Sequence, residues 1–282
     1  MSLIVLNPAG GLANRMRCIA SGISLAKETE ADFRVVWAVN DELAARFEDV
    51  FVVPEELKGR IAYPSAAAYA LKYSIPRRRN LYVSALTLKR FSRSYFDSLS
   101  PLKEMMRESD NPLRPVLDSG IRSVYIQAGT IFHPFENGFY RSLFRLNDEM
   151  QTRVDAAKQM LGPDYIGLHI RRTDNLMSIS HSPDHLFEAE IEKNLEQDPS
   201  IKFYLATDSE ATKQKFCKQF GPDKIICNPR PASRASLAGI KDAAVEMFLL
   251  AGASRIFGSF YSSYSEAASI LGATPLRQLT TP

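Results

Sequence analysis

The segment His169-Ile170-Arg171-Arg172-Thr173-Asp174 brings an imidazole, two guanidiniums and a carboxylate together within six residues. A guanidinium grips phosphate oxygens through a planar fork and keeps its charge at physiological pH. Adjacent arginines therefore suit a diphosphate, with Asp174 bracing one of them. The competing reading of the same residues is an exposed ion-pair network. Leu205-Ala206-Thr207-Asp208-Ser209 is a second polar burst after apolar residues. Thr207 and Asp208 either touch a ligand or cap the helix that follows, and a helix N-terminus suits an anion in both cases.

Gly258-Ser259-Phe260-Tyr261-Ser262-Ser263-Tyr264 supplies small hydroxyls, Ser262 and Ser263 among them, with backbone N–H groups that favour phosphate. Its plainer reading is a serine-rich helix cap. Glu246 falls inside Val245-Glu246-Met247-Phe248-Leu249-Leu250, where a carboxylate among apolar neighbours needs a partner. Guanine offers one, because its N1–H and N2 amino group form a paired donor edge; a nearby lysine or arginine offers another. In Asn7-Pro8-Ala9-Gly10-Gly11-Leu12-Ala13-Asn14-Arg15, Gly10 and Gly11 let backbone approach a ligand closely or form an ordinary tight turn. This is neither a Walker loop nor the spaced three-glycine dinucleotide fingerprint. Asp-x-Asp occurs nowhere, so the charge of a diphosphate is expected to be met by Arg171, Arg172 and helix N-termini, with no metal and no cofactor.

These clusters sit where an alternating pattern puts them. Apolar runs and helical spacing predict a strand at 3–6, a helix through Leu12, Met16, Ile19 and Ile23, and a strand at 33–38. The stretch 41–118 reads as irregular, with a helix near 41–47, and 124–127 reads as the last strand of the first half. A crossing loop is expected at 134–139. Beyond it the alternation is regular: helices at 148–161, 184–195, 210–220, 241–251 and 262–271 enclose strands at 165–170, 202–206, 224–227 and 255–258. Strands alternating with helices mean a parallel sheet covered on both faces. The expectation is an α/β chain of two Rossmann-like domains, 1–145 and 146–282. Ligands of such sheets bind beyond the carboxyl ends of the strands, which is where the polar clusters fall.

Composition narrows the function. The chain has 282 residues, 45% of them hydrophobic, and a net charge of +3, which is too small to make nucleic acid or an anionic membrane the default partner. No run approaches eighteen apolar residues, and the N-terminus lacks a basic n-region. Cys18, Cys217 and Cys227 form no Cys-x-x-Cys or Cys/His cluster and are read as small buried hydrophobes in a reducing cytoplasm. A basic stretch, Arg77-Arg78-Arg79 with Lys89, Arg90 and Arg93 among Tyr82, Phe91, Tyr95 and Phe96, either faces a sugar or anionic acceptor or forms a solvated helix face.

The order Gly-Gly-Leu-Ala-Asn-Arg, His-Ile-Arg-Arg-Thr-Asp, Leu-Ala-Thr-Asp-Ser, Glu-Met-Phe-Leu-Leu-Ala and Phe-Gly-Ser-Phe-Tyr-Ser-Ser resembles that of the GDP-fucose-dependent fucosyltransferases, particularly the α-1,6 type. The resemblance implies a GT-B-like pair of domains with the donor held mainly by the second, and metal-independent, inverting transfer of fucose to a glycan acceptor. It implies that Arg171 and Arg172 hold the donor diphosphate, that His169 and Asp174 support them, and that Asp208 orders the arginines. Glu246 takes the place of an acidic residue that reads guanine, and Ser262 that of a phosphate-contacting serine. Gly10, Gly11 and Asn14 close the donor site from the other domain.

The sequence departs from that pattern twice. Ala13 stands where relatives carry a glycine. The segment 176–180 has no carboxylate where glycan-core relatives have a catalytic glutamate, so the base is expected among His181, Asp184 and His185; a histidine needs little pKa adjustment for that role. Asp184 has a plainer reading as a helix-starting residue. Two other functions fit the same residues: transfer from a different nucleotide sugar, or a non-catalytic nucleotide-binding module, which the missing glutamate favours.

Overall fold

A computed structural model describes residues 1–75, 83–97, 104–106, 108–109 and 111–281. Arg77, Arg78, Arg79 and Tyr82 of the basic stretch lie outside them. The chain forms two compact units, Met1–Arg145 and Leu146–Pro282.

In the first unit the strands are β1 (Leu3–Pro8), β2 (Asp32–Val36), β3 (Ile61–Ala62), β4 (Arg93–Phe96) and β5 (Ser123–Ala128), in the order β3-β2-β1-β5-β4. All the pairings are parallel. The helix α1 (Leu12–Glu28) follows β1 and buries its Met16, Ile19 and Ile23. Short helices follow at α2 (Ala66–Lys72), α3 (Val83–Leu88), α4 (Arg114–Asp118) and α5 (Asn137–Leu143). The helix expected near 41–47 is absent. Leu43, Ala45 and Phe47 are buried at alternate positions, a period of two that suits extended chain, and Trp37 Nε1 donates to the Ala45 carbonyl at 2.8 Å. In the expected crossing loop the chain turns helical at Asn137. Arg90 of the basic stretch packs its guanidinium over the rings of Tyr73 and Phe91.

The second unit holds β6 (Tyr165–Ile170), β7 (Lys202–Thr207), β8 (Ile225–Cys227), β9 (Arg255–Ser259) and β10 (Leu276–Leu279), in the order β10-β9-β6-β7-β8 and again parallel. Its helices are α6 (Asp148–Leu161), α7 (Leu176–His181), α8 (Asp184–Gln197), α9 (Glu210–Phe220), α10 (Leu237–Ala251) and α11 (Ser263–Gly272). Every residue of β6 is buried, as a central parallel strand with both faces covered requires. Ile166, Leu168 and Ile170 pack with Phe187, Phe203 and Phe216 in one core. The expected α/β class and parallel sheets are borne out. β10 and α7 were not expected; α7 covers 176–180, the segment without a carboxylate, and ends on His181.

From β6 the chain runs outward through β7 and β8, then returns to β9 on the other side of β6. A crevice opens at such a reversal, beyond the carboxyl ends of the strands. β6 ends at that point, with His169 in its last two residues and Arg171 the first residue beyond it. Cys18 is buried, whereas Cys217 and Cys227 are half-buried free thiols with Sγ atoms 3.8 Å apart.

Candidate functional site

A cleft of about 590 Å³, counting its open mouth, lies in the second unit at the ends of β6 and β7 and against the first half of α10. His169, Arg171, Thr207, Asp208 and Glu246 line it, as do Asn228 and Arg234, which the sequence reading missed. Asn228 directly follows β8, so the strand-end rule applied to β7 would have found it. Arg234 lies in an exposed loop whose composition gives no such signal.

Arg171 donates to Asp174 Oδ1 at 2.5 Å, and Arg234 meets Asp174 Oδ2 at 3.1 Å. Burial pushes the Asp174 carboxyl up, but the two guanidiniums outweigh that and hold it below the usual range. Arg171 Nε is buried and has no hydrogen-bond acceptor among the described residues. An unsatisfied buried donor costs about 1–3 kcal/mol, which is tolerated where a ligand supplies the acceptor. Asp208 orders the backbone: it accepts from the Arg172 amide at 2.7 Å and from the Thr173 hydroxyl at 2.6 Å. Neither Thr207 nor Asp208 caps α9, because Ser209 does so by accepting from the Thr212 amide.

His169 is buried, with its ring 4.9 Å from that of Tyr264. Burial, followed by the Arg171 charge, lowers its pKa to about 4, so the imidazole is neutral. Its Nδ1 lies 3.4 Å from Ser262 Oγ. Ser262 is buried at the cap of α11, and neither it nor Ser263 lines the cleft. Glu246 is 9% exposed and hydrogen-bonded to Asn228. Burial raises its pKa to about 7, against the pull of Lys213 and with Asp242 adding to the rise.

Four expected site residues are arranged differently. Arg172 turns away from the cleft: Nε and one terminal nitrogen donate to Asp184 Oδ1 at 2.8 and 2.6 Å, and further donors reach the carbonyls of Ser182 and Arg171. Asp184 is committed in turn, since its Oδ2 takes Lys215 Nζ at 2.8 Å. Burial alone would raise the Asp184 pKa, but Lys215 and Arg172 hold it low, which makes the carboxylate a poor base. His181 Nδ1 lies 3.0 Å from the Met177 carbonyl, and its ring stacks on Phe260. His185 is exposed in the first turn of α8. None of His181, Asp184 and His185 lines the cleft.

In the first unit Gly10 has φ +79°, and a Cβ there would meet Asn14 Nδ2 at 2.7 Å, so the turn requires glycine. Gly11 caps α1 without a side chain. Arg15 is the residue whose structural role the sequence did not show. It is fully buried, and it ties the Gly10 carbonyl (2.8 Å) to Ala38 and Asn40. Burial pushes its pKa down to about 10.

Solved structures share this fold. A NodZ α-1,6-fucosyltransferase soaked with GDP-fucose aligns over 96% of this chain and 92% of its own, with 16% identity and a TM-score of 0.61. Fucosyltransferase NodZ from Bradyrhizobium aligns over the same shares at 17% identity and a TM-score of 0.62. The chain has a fucosyltransferase-like fold. POFUT1 in complex with GDP-fucose shares that fold over 99% of this chain and 97% of its own, at 10% identity and a TM-score of 0.54. No protein-family model matches the chain, and no curated protein matches it either. Among the described residues, no helix is long and apolar enough to cross a membrane.

Proposed function

We propose that the protein is a glycosyltransferase that moves fucose from GDP-fucose to a glycan hydroxyl, inverting the anomeric carbon and using no metal ion. The observation that carries this reading is one cleft with a buried carboxylate, Glu246, on one wall and the guanidinium of Arg171 on another, in a fold shared with NodZ and POFUT1. Glu246 and Asn228 read the base, and Arg171 stabilises the departing diphosphate as charge develops on it. The second unit takes the nucleotide sugar and the first the acceptor, and Gly10, Gly11 and Asn14 belong to the proposed substrate-binding residues. His181 and His185 are the expected side chains that remain for proton removal, and an α-1,6 linkage is the first to test. The cytoplasm expected from the cysteines belongs to the same reading.

Calorimetry with GDP, UDP, GDP-fucose and GDP-mannose in the presence of a chelator tests it. GDP and GDP-fucose bind with chelator present, and Glu246→Gln weakens GDP far more than UDP, because an amide offers guanine one acceptor for its two donors. Equal losses for the two nucleotides, or loss of GDP binding on adding chelator, would overturn the assignment.

A further inference from the structure

We infer that the second phosphate-binding guanidinium of the cleft is Arg234, and that Arg172 is not one, resting on the nucleotide-sugar reading for the identity of the ligand but not for its charge. The side chain of Arg172 is spent on Asp184 and on two backbone carbonyls, outside the cleft. Arg234 lines the cleft and shares one carboxylate, Asp174, with Arg171. A carboxylate that bridges two guanidiniums marks the place where a diphosphate fits the same two forks, with more oxygens and more charge. Arg171 Nε, buried and without a partner among the described residues, gains an acceptor in that arrangement.

The loop that carries Arg234 is held by buried groups. Lys213, 4% exposed, donates to the Arg230 carbonyl at 2.6 Å, and Arg230 pairs with Asp242, 5% exposed and paired also with Arg153. Ser236 caps α10 by accepting from the Gly239 amide at 3.1 Å. The backbone on both sides of Arg234 is therefore fixed, while its side chain is 47% exposed. Its removal leaves the core intact and takes one positive charge from the cleft.

The test measures binding of GDP, guanosine and inorganic pyrophosphate to the full chain, wild type and Arg234→Ala, with chelator present. Arg234→Ala is expected to weaken GDP and pyrophosphate at least tenfold, to leave guanosine and the melting temperature unchanged, and to be only partly rescued by Arg234→Lys. Wild-type affinity of the alanine variant for GDP and pyrophosphate overturns the assignment, and so does a loss of guanosine binding as large as that of GDP. If the wild type binds pyrophosphate more tightly than Arg234→Ala but shows no preference for guanine nucleotides, Arg234 stands and the donor reading fails. If the wild type binds neither GDP nor pyrophosphate, both fail.

Discussion

Arg171 and Arg172 are neighbours in sequence with opposite surroundings. Successive residues of extended chain point to opposite sides, and this alternation continues past the end of β6: Arg171 enters the cleft, while Arg172 turns toward Asp184 and the Ser182 carbonyl. The sequence made the chemistry of the pair legible but not its division of labour, because Asp184, itself held by Lys215, lies further along the chain and meets Arg172 only after folding. Arg172→Ala is expected to destabilise the protein by about 1–2 kcal/mol, since it leaves partly buried acceptors without their donor. Urea denaturation measures this, with Arg234→Ala as the comparison, expected within about 0.5 kcal/mol of wild type as a surface substitution. Wild-type stability of Arg172→Ala together with a loss of GDP affinity would instead return it to the ligand.

Among elements, those with long apolar runs or several helical turns were legible. Helices α6 and α9 and strand β6 begin and end where the pattern puts them, because two covered faces leave β6 no polar positions. Short elements carry too few residues for a period to emerge: α7 has six residues and β10 four, of which Arg277 and Gln278 are polar. The start of α10 was read four residues late because Gly239, a poor helix former, interrupts its first turn. That glycine has a structural cause. A Cβ at Gly239 would lie 2.1 Å from the Ser233 carbonyl oxygen, so the loop carrying Arg234 rests directly on the helix. Gly239→Ala ought to gain about 1 kcal/mol from helix propensity if nothing opposed it. The expected outcome is the reverse, a lower melting temperature and at least tenfold weaker GDP binding, as the loop is pushed off α10. A stabilised variant with unchanged affinity would show that the loop's seat is unimportant.

For the molecule as a whole, a net charge of +3 leaves long-range attraction for an anionic donor weak, so recognition depends on local groups. On the proposed function, one of them changes its ionisation when the cleft is occupied. Glu246 has a pKa near 7 because burial disfavours its charge, whereas the donor edge of guanine hydrogen-bonds best to the ionised carboxylate. Bound GDP must therefore lower that pKa, and at pH 6.5 each binding event expels part of a proton into the solvent. The heat measured by calorimetry at that pH then includes the ionisation enthalpy of whichever buffer accepts the proton. Titrations in PIPES and in imidazole are expected to give different heats for the same affinity, the difference being smaller in Glu246→Gln. Affinity for GDP should also fall as pH drops below about 7, with no matching fall for UDP. Heats that are independent of the buffer at pH 6.5 would mean that guanine does not meet this carboxylate. On the proposed function, the buried acid that makes the cleft selective thus also makes nucleotide binding an acid-releasing reaction.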